Sequence, residues 1–191
     1  SYPAITRHDA KAADTQAGSF VYGLPQLGNA NGEGRSVAYV QNAGSACATV
    51  TLEFTDVDGC EARTCATAAV PKGGMVRLDA EACRSAGRLG GAGRVISDQP
   101  LAIVSETAAP RSLSAYRAVT VRDAATLAFA PVTYSEYQGW DAAIHIQNFD
   151  RASAARVKVV FLDRSGDIIA TLTDWICPAG AAVVQLDTVH H

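Results

Sequence analysis

Cysteine is the residue type whose spacing in this chain points most directly to chemistry. Four cysteines, Cys47, Cys60, Cys65 and Cys83, fall within 37 residues, and Cys177 stands alone. No Cys-x-x-Cys pair occurs, which argues against zinc ribbons and thioredoxin-like redox sites. We therefore predict disulfides, with Cys60 and Cys65 clipping a short polar loop and Cys47 then pairing with Cys83. Cys177 is left over, either as a buried free thiol or as one that pairs with another chain.

Disulfides of this kind predict an oxidising compartment, and so an extracellular or cell-surface location. The alternative is a set of buried free thiols in a cytosolic protein. Cysteines in polar, loop-like stretches fit that alternative less well, because free cysteine behaves as a small core residue. The spacing does not decide the connectivity, which peptide mapping without reductant would establish.

Three aromatic residues crowd into one short stretch and form the second candidate site. Tyr134, Tyr137 and Trp140 lie before a predicted strand, with Gln138 and Asp141 beside them. Such a group suits a platform on which a sugar ring stacks. The competing interpretation is that Trp140 closes one end of a sandwich, and we favour it because an aromatic ring buries a large area.

The acidic residues and histidines form no recognisable metal or catalytic site. Residues 56–59 resemble the start of a calcium-binding loop, but Thr67 stands where an EF-hand needs a bidentate acid. We interpret this tetrad, and the matching tetrad at residues 163–166, as turns in which Asp bonds its own backbone and Gly accepts a positive φ. His145 alternates with Ile144 and Ile146, which predicts that it points outward from a strand. We predict no enzymatic activity, no cofactor and no metal.

Two stretches of the chain match each other in order and in spacing. Asn148 follows Asn42 by 106 residues, each preceded by Gln, and the Asp-x-x-Gly tetrads beginning at Asp56 and Asp163 are 107 residues apart. Blocks in one order at a nearly constant offset indicate an internal duplication. The further matched positions are Pro25 with Pro131, Pro71-Lys72-Gly73 with Pro178-Ala179-Gly180, and Leu78-Asp79 with Leu186-Asp187.

The periodicity inside the matched blocks is that of β-strands. Val50, Leu52 and Phe54 alternate with polar residues, and residues 156–161 repeat the alternation. One face of such a strand lies on a core and the other meets water. Many short strands separated by turn signals predict an all-β fold of two tandem β-sandwich repeats.

The two predicted repeats differ in length. We divide the chain into an N-terminal arm (residues 1–19), a disulfide-bearing first repeat (20–121) and a second repeat (122–191). The second lacks a counterpart of the predicted strands at 94–97 and 101–104. Three explanations are open: the native chain continues past His191, the arm or residues 108–125 fill the gap, or a neighbouring chain donates a strand.

The chain resembles immunoglobulin-like repeats of bacterial secreted and cell-surface proteins in four features: the Gln-Asn block, the alternating strand, the Asp-x-x-Gly turn and the Pro-x-Gly turn. Residues 98–104 are similar to the closing strands of such repeats. The resemblance covers most of the first repeat and about sixty residues of the second. It implies a sandwich and an exported location, and it brings no active site. The cysteines are not part of that pattern.

Charge and hydropathy narrow the classes of partner. The net charge is −3, and no dense basic stripe of the kind that tracks phosphates is present. No apolar stretch reaches the length of about 20 residues that spans a bilayer. We assign no role to His190 and His191. The leading hypothesis is a non-enzymatic extracellular structural or adhesive protein that self-associates, for example as a filament subunit. The alternative is a carbohydrate-binding or accessory module of a larger secreted protein, which would contact a cell-surface glycan.

Overall fold

The computed structural model describes residues 14–16, 18–28, 35–57, 59–83, 90–109, 112–130 and 142–186. Within them the chain is almost entirely antiparallel β-structure, with 3-10 helices at Ala80–Cys83 and Val121–Asp123. The strands are β1 (Asp14–Gln16), β2 (Ser19–Gly28), β3 (Arg35–Asn42), β4 (Ala48–Asp56), β5 (Ala62–Val70), β6 (Met75–Asp79), β7 (Gly90–Ser97), β8 (Leu101–Ala109), β9 (Ser112–Arg117), β10 (Ala143–Gln147), β11 (Ala155–Leu162), β12 (Ile168–Ile176) and β13 (Ala181–Gln185).

Strands β1 to β9 form two sheets, which we call the complete sandwich. One sheet has the order β1-β2-β7-β4-β5 and the other β6-β3-β8-β9. The alternation of apolar and polar residues in the sequence explains how β4 packs. Its apolar residues Val50, Leu52 and Phe54 point into the core and are 0% exposed. The expected all-β sandwich class is confirmed.

Strands β10 to β13 form a smaller unit, which we call the half-sandwich. β10 pairs with β13, and β11 pairs with β12, all antiparallel. These pairs repeat the β3–β6 and β4–β5 pairs of the complete sandwich. Asn42 and Asn148 show why the Gln-Asn block recurs: each buried amide donates to backbone carbonyls of the adjoining turns and accepts a backbone N–H two residues ahead.

Two of the matched turns align differently from the sequence-based alignment. Gly74 N donates to Pro71 O, and Gly180 N donates to Cys177 O, so Cys177 rather than Pro178 takes the position of Pro71. The offset therefore stays at 106 residues here. Ala179 then occupies the left-handed position of Gly73, with φ of 57° against 72°.

The downstream Leu match shifts as well. In the ladders Leu78 pairs with Ala38, and Val184 pairs with Ile144, which is the residue 106 positions after Ala38. Val184, and not Leu186, is therefore the counterpart of Leu78. Both positions carry an apolar residue, so the sequence alone did not distinguish the two candidates.

The disulfide pairing differs from the expected one. Cys60 is bonded to Cys177, with a Cα–Cα distance of 5.1 Å, and Cys65 to Cys83, with a Cα–Cα distance of 4.8 Å. Cys47 is a free, exposed thiol. The expected Cys60–Cys65 clip fails because β5 begins at Ala62 and carries Cys65 away from the turn, against the 3-10 helix that ends at Cys83. Cys177 is thus neither free nor bonded to another chain.

Candidate interaction surface

An apolar cleft separates the two sheets of the half-sandwich. The inner faces of β10 and β13 form one wall, and those of β11 and β12 form the other. Between them is an open cavity of about 50 Å³. Its apolar lining consists of Ile146, Val157, Val159, Leu172, Ile176, Ala182, Val183 and Val184.

The complete sandwich shows which strands flank the corresponding sheets. There β4 pairs with β5 on one side and with β7 on the other, and β3 lies between β6 and β8. In the half-sandwich β11 pairs with β12 and β10 with β13, and no further strand joins either sheet within the described residues. Among the residues that the structure describes, no strand occupies the edges of β10 and β11 that correspond to the β8 and β7 positions, so we call these edges open.

The cleft-lining residues are correspondingly more exposed than their counterparts. Leu52 is 0% exposed in the complete sandwich, whereas Val159 at the matching place is only half-buried. Leu172, the cross-strand neighbour of Val159, is 39% exposed. Asp174 adds a carboxylate to the lining at the outer strand of the cleft.

The opposite face of the β11–β12 sheet is also apolar in part. Trp175, which is 65% exposed, lies outside any core of the described residues. Val160, Leu162 and Ile168 are exposed on the same face. Scattered exposed apolar residues are normal in monomeric proteins, but Val160, Leu162 and Ile168 adjoin one another on this face and form a candidate interaction surface.

The half-sandwich is attached to the complete sandwich at a second group of residues. β10 lies against β2, and β13 lies against β7. Gln147 Nε2 donates to Gly93 O at 2.9 Å, and Thr55 Oγ1 donates to Ala179 O at 3.4 Å. Gly23 leaves the space for this contact, because an added Cβ there would lie 2.5 Å from the Phe149 ring. The Cys60–Cys177 disulfide closes the same junction.

Three charged residues, of which Arg94 is buried and Arg151 is exposed, lie together at this junction. Glu53 and Arg94 are cross-strand neighbours on β4 and β7, and Arg151 Nη2 of the half-sandwich lies 3.8 Å from Glu53 Oε2. Burial, and secondarily the nearby charge of Arg151, lowers the pKa of Arg94. Glu53 Oε2 and Arg94 Nη1 are buried without a hydrogen-bond partner among the described residues, whereas Arg94 Nη2 donates to Phe149 O of the half-sandwich at 3.5 Å.

His145 lies on the outer face of its strand, as predicted, but it is not exposed to water as an outward side chain would be. His145 pairs with Val183 and alternates with the cleft-facing isoleucines, so it lies on the outer face of β10. That face is turned toward β2, and His145 Nδ1 is buried without a hydrogen-bond partner among the described residues. Burial lowers the pKa of His145 below its ordinary 6.5.

We expect this histidine to make the protein less stable in mild acid. Below pH 6.5 the unfolded chain binds a proton at His145 that the folded chain resists, so stability is lost as the pH falls toward the folded pKa. Urea unfolding at pH 7.5 and at pH 5.5 measures the loss. The His145→Gln variant should lose less stability between those two values. An equal loss in both proteins would contradict the prediction.

The remaining predicted site residues fall in different places. Tyr134, Tyr137 and Trp140 lie outside the described residues, so the sugar platform stays a prediction. At the first acidic tetrad Gly59 N donates a hydrogen bond to Asp56 O, which closes the turn. In the second, Asp163 accepts the backbone N–H groups of Ser165 and Asp167, which is the turn chemistry predicted for it.

Sequence reasoning missed the junction residues Gln147, Phe149 and Arg94. A signal for them existed in the glycines at positions 23 and 93, since a glycine inside a strand often marks the close approach of another segment. The sequence does not show which segment approaches.

Comparison with known proteins adds a limited amount. No family model and no curated protein sequence matches the chain. Among solved structures it is similar to the crystal structure of Thermotoga maritima 1070, with a TM-score of 0.45 and 11% sequence identity. That match covers 52% of this chain and 92% of the other chain. In the part of the chain that the structure describes, no helix is long and apolar enough to cross a membrane.

Proposed function

We propose that this protein is a non-enzymatic extracellular structural or adhesive protein that self-associates through its half-sandwich. The observation that carries the proposal is the open cleft with two open strand edges, at the places where the complete sandwich of the same chain holds β7 and β8. The two disulfides support an oxidising location.

The energetics favour a covered cleft over a solvated one. Leaving apolar surface in water costs about 25 cal/mol for each Å². Two-stranded sheets are marginally stable in water unless further strands or another layer support them. Both sheets of the half-sandwich have two strands within the described residues, so strands from a partner would stabilise both at once.

Light scattering after size exclusion, over a hundredfold range of protein concentration, tests the proposal. The chain has a mass of 19.9 kDa, and we expect a larger particle whose mass rises with concentration. Leu172→Lys puts a charge at the cleft and should shift the particle toward the monomer. Met75→Lys, at a 68% exposed position on β6, is the matched control and should leave the mass unchanged.

The contrary outcome is equally clear. A monomer at every concentration, with folding verified by circular dichroism, would overturn self-association. Negative-stain microscopy of the wild-type particle then separates open polymers from closed assemblies.

A further inference from the structure

The open edge of β11 carries its charges in one half of the strand. On the outer face Arg156 and Lys158 lie in the first half, and Val160 and Leu162 lie in the second. The inner face is apolar along its length and includes Val159 at the centre of the strand. A strand with this distribution is complementary to an antiparallel copy of itself, because its cations then face apolar residues rather than each other.

We propose that the occupant of the open edge is β11 of a second copy of this chain, paired antiparallel about a two-fold axis at Val159. This inference rests on the proposed self-association and specifies its geometry. Residues that face each other across an antiparallel pair share one face of the sheet, so the axis passes through a residue and not between residues.

The charge pattern selects the register. An axis at Val159 sets Lys158 opposite Val160 of the second copy, and Arg156 opposite Leu162 of the second copy. An axis at Lys158 would oppose two lysines, and an axis at Val157 would oppose Arg156 and Lys158. An axis at Val160 avoids these pairs but shortens the paired stretch to residues 158–162. The Val159 register pairs residues 156–162, the longest stretch among these registers that opposes no like charges.

The open edge of β10 joins at the same interface. In the complete sandwich the β3 and β4 edges are filled side by side by β8 and β7, so the matching β10 and β11 edges lie on one side of the cleft. A two-fold axis perpendicular to both sheets extends each of them from two strands to four. The product is a closed sandwich made of two half-sandwiches. This pairing occupies both open edges, so the assembly is a closed dimer, as expected for an isologous interface.

A cysteine crosslink tests the register. In a Cys47→Ser background, Val159→Cys places two thiols opposite each other at the axis and should give a reductant-sensitive dimer on mild oxidation. Val160→Cys, one residue along, faces Lys158 of the second copy and is the matched control that should not crosslink.

A charge reversal tests the pairing without oxidation. Val160→Lys opposes a lysine to Lys158 of the second copy, twice in each dimer, and should raise the dimer dissociation constant about tenfold. The Lys158→Glu/Val160→Lys double variant should restore it. Both positions are exposed in the single chain, so neither change disturbs the cleft.

The outcomes separate the two proposals. A dimer that crosslinks at position 159 and responds to the charge swap supports the two-fold geometry. Polymers, or a dimer that crosslinks equally at 160, would leave self-association standing and overturn the two-fold register. A wild-type monomer would overturn both.

Discussion

Replacing Cys177 by serine is expected to lower the free energy of unfolding by about 5 kcal/mol. The Cys60–Cys177 bond joins residues 117 positions apart. In the chain-entropy account, closing a loop of that length in the unfolded state stabilises the folded state by about 5 kcal/mol. The bond also fastens the half-sandwich to the complete sandwich, so its loss frees the junction.

Equilibrium unfolding in urea measures this effect, with two matched variants beside it. Cys65→Ser breaks a bond across only 18 residues and should cost about 3 kcal/mol. Cys47→Ser removes a free, exposed thiol and should change little. If the chain instead carried the Cys60–Cys65 and Cys47–Cys83 bonds expected from spacing, Cys177→Ser would change little and Cys47→Ser would be costly. Peptide mapping without reductant should recover Cys60 and Cys177 in one linked species.

The strands were predictable because their cause is local. An alternation such as that of Val50, Leu52 and Phe54 sets which face is buried whatever the rest of the chain does. The same holds for the turn at Asp163, whose carboxylate bonds to backbone N–H groups two and four residues ahead. These features depend on neighbours in sequence, and neighbours in sequence are what a pattern reports.

The disulfide pairing was not predictable, because it depends on how one unit docks on another. Cys177 takes the turn position of Pro71 and comes within bonding distance of Cys60 only when the half-sandwich lies across β2 and β7. That docking depends in turn on Gly23, which leaves room for Phe149. No spacing rule links these positions, so the nearest cysteines were paired instead.

The open cleft was predictable only in part. The difference in length between the two predicted repeats indicated a strand pair without a counterpart, and within the described residues none joins the half-sandwich. The residues that line the cleft were not predictable, because they follow from the register between β11 and β12. The outer position of the cations of β11, in contrast, was predictable from the alternation of residues 156–161.

A matched pair of core substitutions should show whether the half-sandwich is incomplete in solution. Phe54→Ala removes a ring that is 0% exposed and should cost about 3–5 kcal/mol, the usual range for a buried Phe. Arg63, whose guanidinium lies 5.0 Å from the Phe54 ring centroid, loses its contact as well. Phe161→Ala removes the equivalent ring of β11, which is 9% exposed beside an open cleft.

In dilute protein we expect the Phe161→Ala loss to be clearly smaller than the Phe54→Ala loss, because water already reaches the cleft and less enclosed volume is created. In concentrated protein the Phe161→Ala loss should grow, because assembly covers the cleft beside this ring and binding adds to stability by mass action. Phe54→Ala should cost the same at both concentrations. Urea unfolding at two protein concentrations measures the comparison. Equal losses for both variants in dilute protein would mean that each single chain already closes its own cleft, and the argument for a partner strand would fail.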